Sequence, residues 1–189
     1  MSTATQTEPP LLADRRAPAA TASPALTTSD WDEPRHAVIG FRPVTAADGP
    51  GIEAMFDRCS PASRYARFLA PFRALPDGDL ERVLHPGPGG GAWVAVPVDD
   101  PETVVALGDW APVGDDAELG LLVEDEWQRR GIGTDLLTVI ARQARLAGAS
   151  GLTGSVLTES THVYRLAQAV LGPLATVSEG YVTRVTTTR

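Results

Sequence analysis

The chain has 189 residues, enough for one domain of ordinary size, with 43% hydrophobic residues to supply a core and only 6% aromatic. A formal net charge of -8 and a pI near 4.8 leave no broad basic surface to displace phosphate counterions, which argues against nucleic acid as a partner. No stretch approaches the ~18 consecutive apolar residues of a membrane span, and the N-terminus lacks the basic-then-apolar order of a secretory signal, so the expected setting is the cytoplasm with no membrane partner.

Residues 1–35 are rich in Ala, Thr, Ser and Pro and have too few large apolar groups to offset the entropy of ordering, which predicts a flexible tail before a single domain over 36–189. A short strand follows over Val38 to Arg42. Thr45 or Asp48 can cap a first helix carrying Ile52, Met55 and Phe56, and Ser60-Pro61 starts a second with Tyr65, Phe68 and Leu69 on its apolar stripe. A short helix over Asp77 to Leu84 precedes the loop "HPGPGGG" at 85–91.

Three strand-like runs come next, "AWVAVPV", "TVVALGDWAPV" and "AELGLLV", spaced as a meander, with prolines near two ends that mark edges or irregular endings. Leu136, Leu137, Ile140 and Ala144 recur at helical spacing and Gly148 marks a C-terminal cap. A strand "GLTGSVLTE", a helix "STHVYRLAQAVLG" and a terminal hairpin complete the order, which predicts an α+β domain on a mixed sheet.

The stretch "VEDEWQRRGIGTDLL" joins an apolar strand to a helix start. Helix starts expose unpaired backbone N–H groups and the positive end of the dipole. Gly131 and Gly133 let an anion approach those amides, and Arg129 and Arg130 add positive charge, so the turn predicts an anion site. It lacks both the Gly-Lys-Ser/Thr of a P-loop and the GxGxxG of a dinucleotide fold.

At this point the sequence resembles the GNAT family of N-acetyltransferases, whose signature Gln/Arg-x-x-Gly-x-Gly/Ala is matched by Gln128, Gly131 and Gly133. "SPASRYARFLAP" is similar to a segment of the bacterial protein-acetyltransferase-like branch. The resemblance implies a GNAT fold with a central, mostly antiparallel sheet flanked by helices, and acetyl-CoA as co-substrate with no metal. It further implies pyrophosphate on the amides of Arg129, Arg130, Gly131, Ile132, Gly133 and Thr134, pantetheine along the backbone of Leu121 and Val123, and an amine acceptor; a homodimer is compatible with it.

Acetyl transfer to an amine needs a proton acceptor. Glu118 shares a strand face with Gly120 and Leu122, and it is the candidate general base, with Gly120 leaving room for a substrate; the alternative is a carboxylate on a solvated face. Asp125 and Glu126 are expected to face solvent, and Trp127 to anchor the loop. Ungapped alignment to the family puts Ser160 at a cofactor-contacting asparagine and Ala167 at the usual acid, a tyrosine; Tyr164 either reaches the thiol or packs.

His36, His85 and His162 have no metal-ligand spacing, and the single Cys59 builds no nucleophile pair. All 16 basic residues are arginine, so the chain offers no lysine for its own acylation. The leading function is an N-acetyltransferase acting on a small-molecule amine or a protein lysine. The competitors are a catalytically weak acyl-CoA-binding regulatory module and a domain that binds no CoA.

Overall fold

The computed structural model describes residues 38–188, so the expected tail over 1–35 lies outside the described residues, as does His36. Seven strands form one sheet in the order β1-β2-β3-β4-β5-β7-β6. The strands are β1 (Ile39–Pro43), β2 (Gly91–Pro97), β3 (Ala106–Val113), β4 (Asp116–Val123), β5 (Leu152–Leu157), β6 (Leu174–Glu179) and β7 (Val182–Thr187). Every neighbouring pair is antiparallel except β4 and β5, which run parallel. A parallel pair needs a crossover, and the helix Ile132–Leu146, here α4, supplies it. Pro97 and Pro112 lie at the ends of strands inside the sheet, so they mark endings and not edges.

Three helices pack on one face, α1 (Gly49–Arg58), α2 (Pro61–Phe68) and α3 (Asp77–Leu84), and α4 and α5 (Thr161–Leu171) pack on the other. Alternation sorts the strands between two cores. Ala92, Val94, Val96, Leu107 and Leu122 meet Ile52, Met55 and Phe56 of α1, while Ala95, Ala106, Ala117 and Leu152 meet α4. Leu136, Leu137, Ile140 and Ala144 are all buried, as their helical spacing predicts, and each large side chain contributes about 1.5–3 kcal/mol by leaving water. Gly148 follows α4 with φ +106, the left-handed geometry that ends helices at glycine.

Ser60 caps α2, its hydroxyl accepting from Ser63 N–H at 3.2 Å with Pro61 in the first turn. Before α1 the carboxylate of Asp48 accepts from Thr45 N–H and hydroxyl at 2.7 and 2.9 Å and pairs with Arg42 at 2.7 Å. Cys59 is buried against Met55, and burial first, then nearby Asp125 and Glu124, push its thiol up to about 12, which leaves it inert. No helix among the described residues is long and apolar enough to cross a membrane.

Candidate active site

Strands β4 and β5 pair only through Ala117–Leu152 and Glu118–Thr153. Beyond Glu118 they part, although β4 stays paired with β3 along its whole length. Glu124 N–H donates to Val105 O on the β3 side and Ala117 N–H to Gly151 O on the β5 side. Alternation therefore aims the backbone groups of Leu121 and Val123 into the opening, where an amide-bearing chain can pair with them like an added strand. The side chains of Leu121 and Val123 are half-buried against the α4 core, which fixes that edge.

The opening leads to the turn before α4. Arg129 has φ +60 and Gly131 φ +86, so two left-handed residues curl the chain immediately ahead of the helix. Such curls gather N–H groups into an anion-binding concavity. Helix geometry leaves Ile132 and Gly133 N–H without intrahelical acceptors. Thr134 and Asp135 N–H, by contrast, already donate to Gly131 O at 2.9 and 3.1 Å. This corrects the expectation for Thr134: its amide closes the first turn, and what it offers a ligand is an exposed side chain. A side chain at Gly131 would meet open space, so glycine is needed there for conformation and for access. Arg130 lies over the Trp127 ring at 5.0 Å and Trp127 packs against the core, while the exposed Arg129 lies beside the turn.

A hydrogen-bond relay ties this turn to α2. Gln128 Nε2 donates to Val123 O at 3.0 Å and to Ser63 Oγ at 3.0 Å. Ser63 Oγ in turn donates to Asp125 at 2.9 Å, and Ser60 N–H and hydroxyl donate to the same carboxylate, each at 2.7 Å. Asp125 is exposed, as expected, and its carboxylate is at the same time tied to α2. Burial opposes its charged form, yet the bonds from Ser60 and Ser63 prevail and hold its carboxyl below the ordinary range. The cap at Ser60 was visible in sequence, but its partner 65 residues away was not.

On the α2 face of the sheet, Glu118 is the last β4 residue paired with β5, so it stands where the opening begins. Its side chain is exposed and forms no ion pair among the described residues. Gly120 shares that face, and the expectation of substrate room above it is overturned. The Arg67 guanidinium occupies the place where a Cβ would project. It is held there by Asp109, 3% exposed, which also takes Arg82 at 2.6 Å. Burial works against the Asp109 charge, but the two arginines outweigh it and keep the carboxyl below its ordinary range.

Open space lies farther along β5, in a cavity of about 360 Å³ lined by Tyr65, Leu157, Thr158, Glu159 and Tyr181. Tyr65 comes from α2, Leu157 to Glu159 from the end of β5 and the turn before α5, and Tyr181 from the β6–β7 hairpin. The rings of Tyr65 and Tyr181 stack at 27° with centroids 6.5 Å apart. The Tyr65 phenol is raised from its ordinary value, first by lost hydration, then by Tyr181 and the charge of Glu159.

Across the sheet, Ser160 precedes α5 and its carbonyl accepts from Val163 and Tyr164 N–H. Ala167 is buried in the α4 core and presents no proton donor. Tyr164 is half-buried one turn before it, and His162 is exposed at the helix start. No group of three or more potential metal ligands occurs among the described residues.

The model of the acetyltransferase (GNAT) family matches residues 53–172, from α1 to the end of α5. The chain belongs to the GNAT acetyltransferase family. It is an acetyl-CoA-dependent N-acetyltransferase of mixed α/β fold. The GNAT domain of S. lividans PAT superposes with a TM-score of 0.70 at 24% identity, covering 77% of this chain and 88% of that one. Salmonella typhimurium yncA, solved with its cofactor acetyl-CoA, superposes at 0.60 with 16% identity over 78% and 91%. Ribosomal-protein-alanine N-acetyltransferase from Brucella melitensis gives 0.60 with 17% identity over 78% and 96%. No curated protein matches the sequence. The GNAT co-substrate fits what this chain presents: a β4 edge that β5 leaves unpaired beyond Glu118 for an amide-containing arm, and uncommitted helix-start amides beside Gly131 for phosphate.

Proposed function

We propose that this GNAT protein transfers acetyl directly to a primary amine, with Glu118 as general base. The observation that carries the reading is the parting of β4 and β5 immediately after the Glu118–Thr153 pair. Leu121 and Val123 hold the pantetheine arm through backbone groups, and Gly131, Ile132 and Gly133 hold the pyrophosphate through theirs, with Arg129 and Arg130 adding charge and Thr134 and Ser160 side-chain contacts. Gln128 acts from behind, because its amide fixes Val123 O and the turn at once.

Bound acetyl-CoA supplies a thioester carbonyl to which the neutral amine adds, so that a C–N bond forms, the C–S bond breaks and CoA leaves as thiolate. Glu118 accepts the amine proton, directly or through one water, since its carboxylate is accessible and unpaired by arginine. Proton return to the thiolate falls to Tyr164 or solvent, because Ala167 is locked in the core. The test is Glu118→Gln. Turnover on an amine acceptor falls roughly 10²- to 10⁴-fold with acetyl-CoA affinity preserved, and the acidic limb of the pH–rate profile moves or disappears. Unchanged turnover and profile would assign Glu118 to structure.

A further inference from the structure

Resting on the N-acetyltransferase reading, we infer that the cavity between Tyr65, Tyr181 and Glu159 selects acceptors that carry a second positive charge remote from the reacting amine. Three observations carry it. The cavity, about 360 Å³, presents two near-parallel tyrosine rings and one carboxylate, with Leu157 and Thr158 completing its wall. Aromatic faces attract cations through their quadrupole, and a carboxylate adds a full counter-charge. Glu159 has no hydrogen bond or ion pair to its side chain among the described residues, although arginines elsewhere engage Asp48, Asp79, Asp109 and Glu124. Its charge therefore faces the cavity uncompensated.

The second observation is position. Thr153, opposite Glu118, and Leu157, in the cavity wall, lie four residues apart on β5 and on the same face. Four residues of strand span roughly 13 Å. An amine at Glu118 and a cation in the cavity are then two ends of one extended acceptor, lying along the parted strands under α2. Third, the surrounding charge is favourable, since a net charge of -8 attracts a polycation and repels an acidic acceptor.

The experiment compares 1,8-diaminooctane with 8-aminooctan-1-ol, which has the same reacting amine and length but a neutral far end. Binding to the full chain is followed by titration calorimetry without acetyl-CoA, and steady-state KM and kcat are then measured with it. The diamine is expected to bind more tightly than the amino alcohol. Glu159→Gln and Tyr181→Ala each weaken the diamine roughly three- to ten-fold, in Kd and KM but not kcat, and leave the amino alcohol unchanged. Both side chains lie outside the two buried cores, so the variants keep the wild-type melting temperature. Equal affinity for the two ligands, or equal effects of Glu159→Gln on both, overturns the inference. Loss of acetyl-CoA binding would overturn the proposed function instead, because the diamine titration contains no acetyl-CoA.

Discussion

Arg67 reaches Asp109 at 2.6 Å by passing directly over Gly120, so one ion pair both anchors α2 to the sheet and fills the space beside Glu118. The pair spans 42 residues of sequence, and Asp109 holds Arg82 of α3 as well. Two helices of the acceptor face thus hang on one buried carboxylate.

Asp109→Ala leaves Arg67 without its counter-charge and Arg82 with Asp79 alone, and is expected to cost about 3–5 kcal/mol, read as a lowered midpoint in urea. Gly120→Ala places a methyl group where Arg67 lies and forces the guanidinium off Asp109. Combining Gly120→Ala with Arg67→Ala should therefore cost less than the sum of the two. Strict additivity would show that Arg67 is not held over Gly120.

Acid stability reports on Asp48. The Arg42 hydrogen bond outweighs burial, and with the Thr45 bonds it holds this carboxyl at about 2 against an ordinary 3.8. A depressed folded-state value means that the stabilisation is complete above the unfolded value and lost as pH falls through about 2. Asp48→Asn should cost about 1–3 kcal/mol at neutral pH. Its unfolding midpoint should converge on that of the wild type as pH drops through that window; a constant gap would contradict the assignment.

Ser63 is predicted to matter for cofactor and not for acceptor. Ser63→Ala cuts the relay from Asp125 to Gln128 while sparing the Ser60 cap. Acetyl-CoA affinity should fall several-fold, on the order of one lost hydrogen bond, while the KM of the amine stays constant. A matched change in both would show that α2 shifts as a whole.

Local patterns were the legible part of this chain. Helical spacing over Leu136 to Ala144, the Ser60-Pro61 start and the Gly131-x-Gly133 turn are each set by residues within a few positions of one another, and all three occur as read. Strand alternation likewise put Glu118 and Gly120 on one face. What covers that face was not legible, because Arg67 arrives from another helix and is directed by a carboxylate on a third element. The bonds that tie the exposed Asp125 to α2 were hidden for the same reason, its partners Ser60 and Ser63 lying 65 and 62 residues earlier.

Tyr164 offers a check on proton return. Tyr164→Phe should lower kcat far less than the ~10²-fold expected for loss of an obligatory acid, because a thiolate departs unaided near neutral pH. A fall as large as that of Glu118→Gln would make Tyr164 the acid.

Acetyl-CoA is expected to occupy the parted edge of β4 and the turn before α4. Titration calorimetry of the full chain with acetyl-CoA, repeated on Gly131→Val, tests it most directly. Gly131 has φ +86 and its Cβ would project into open space, so valine disturbs the turn without touching the core. The expected result is saturable binding by the wild type and marked weakening in a variant that still melts cooperatively; no binding by the wild type at millimolar acetyl-CoA, or undiminished binding by Gly131→Val, would contradict it.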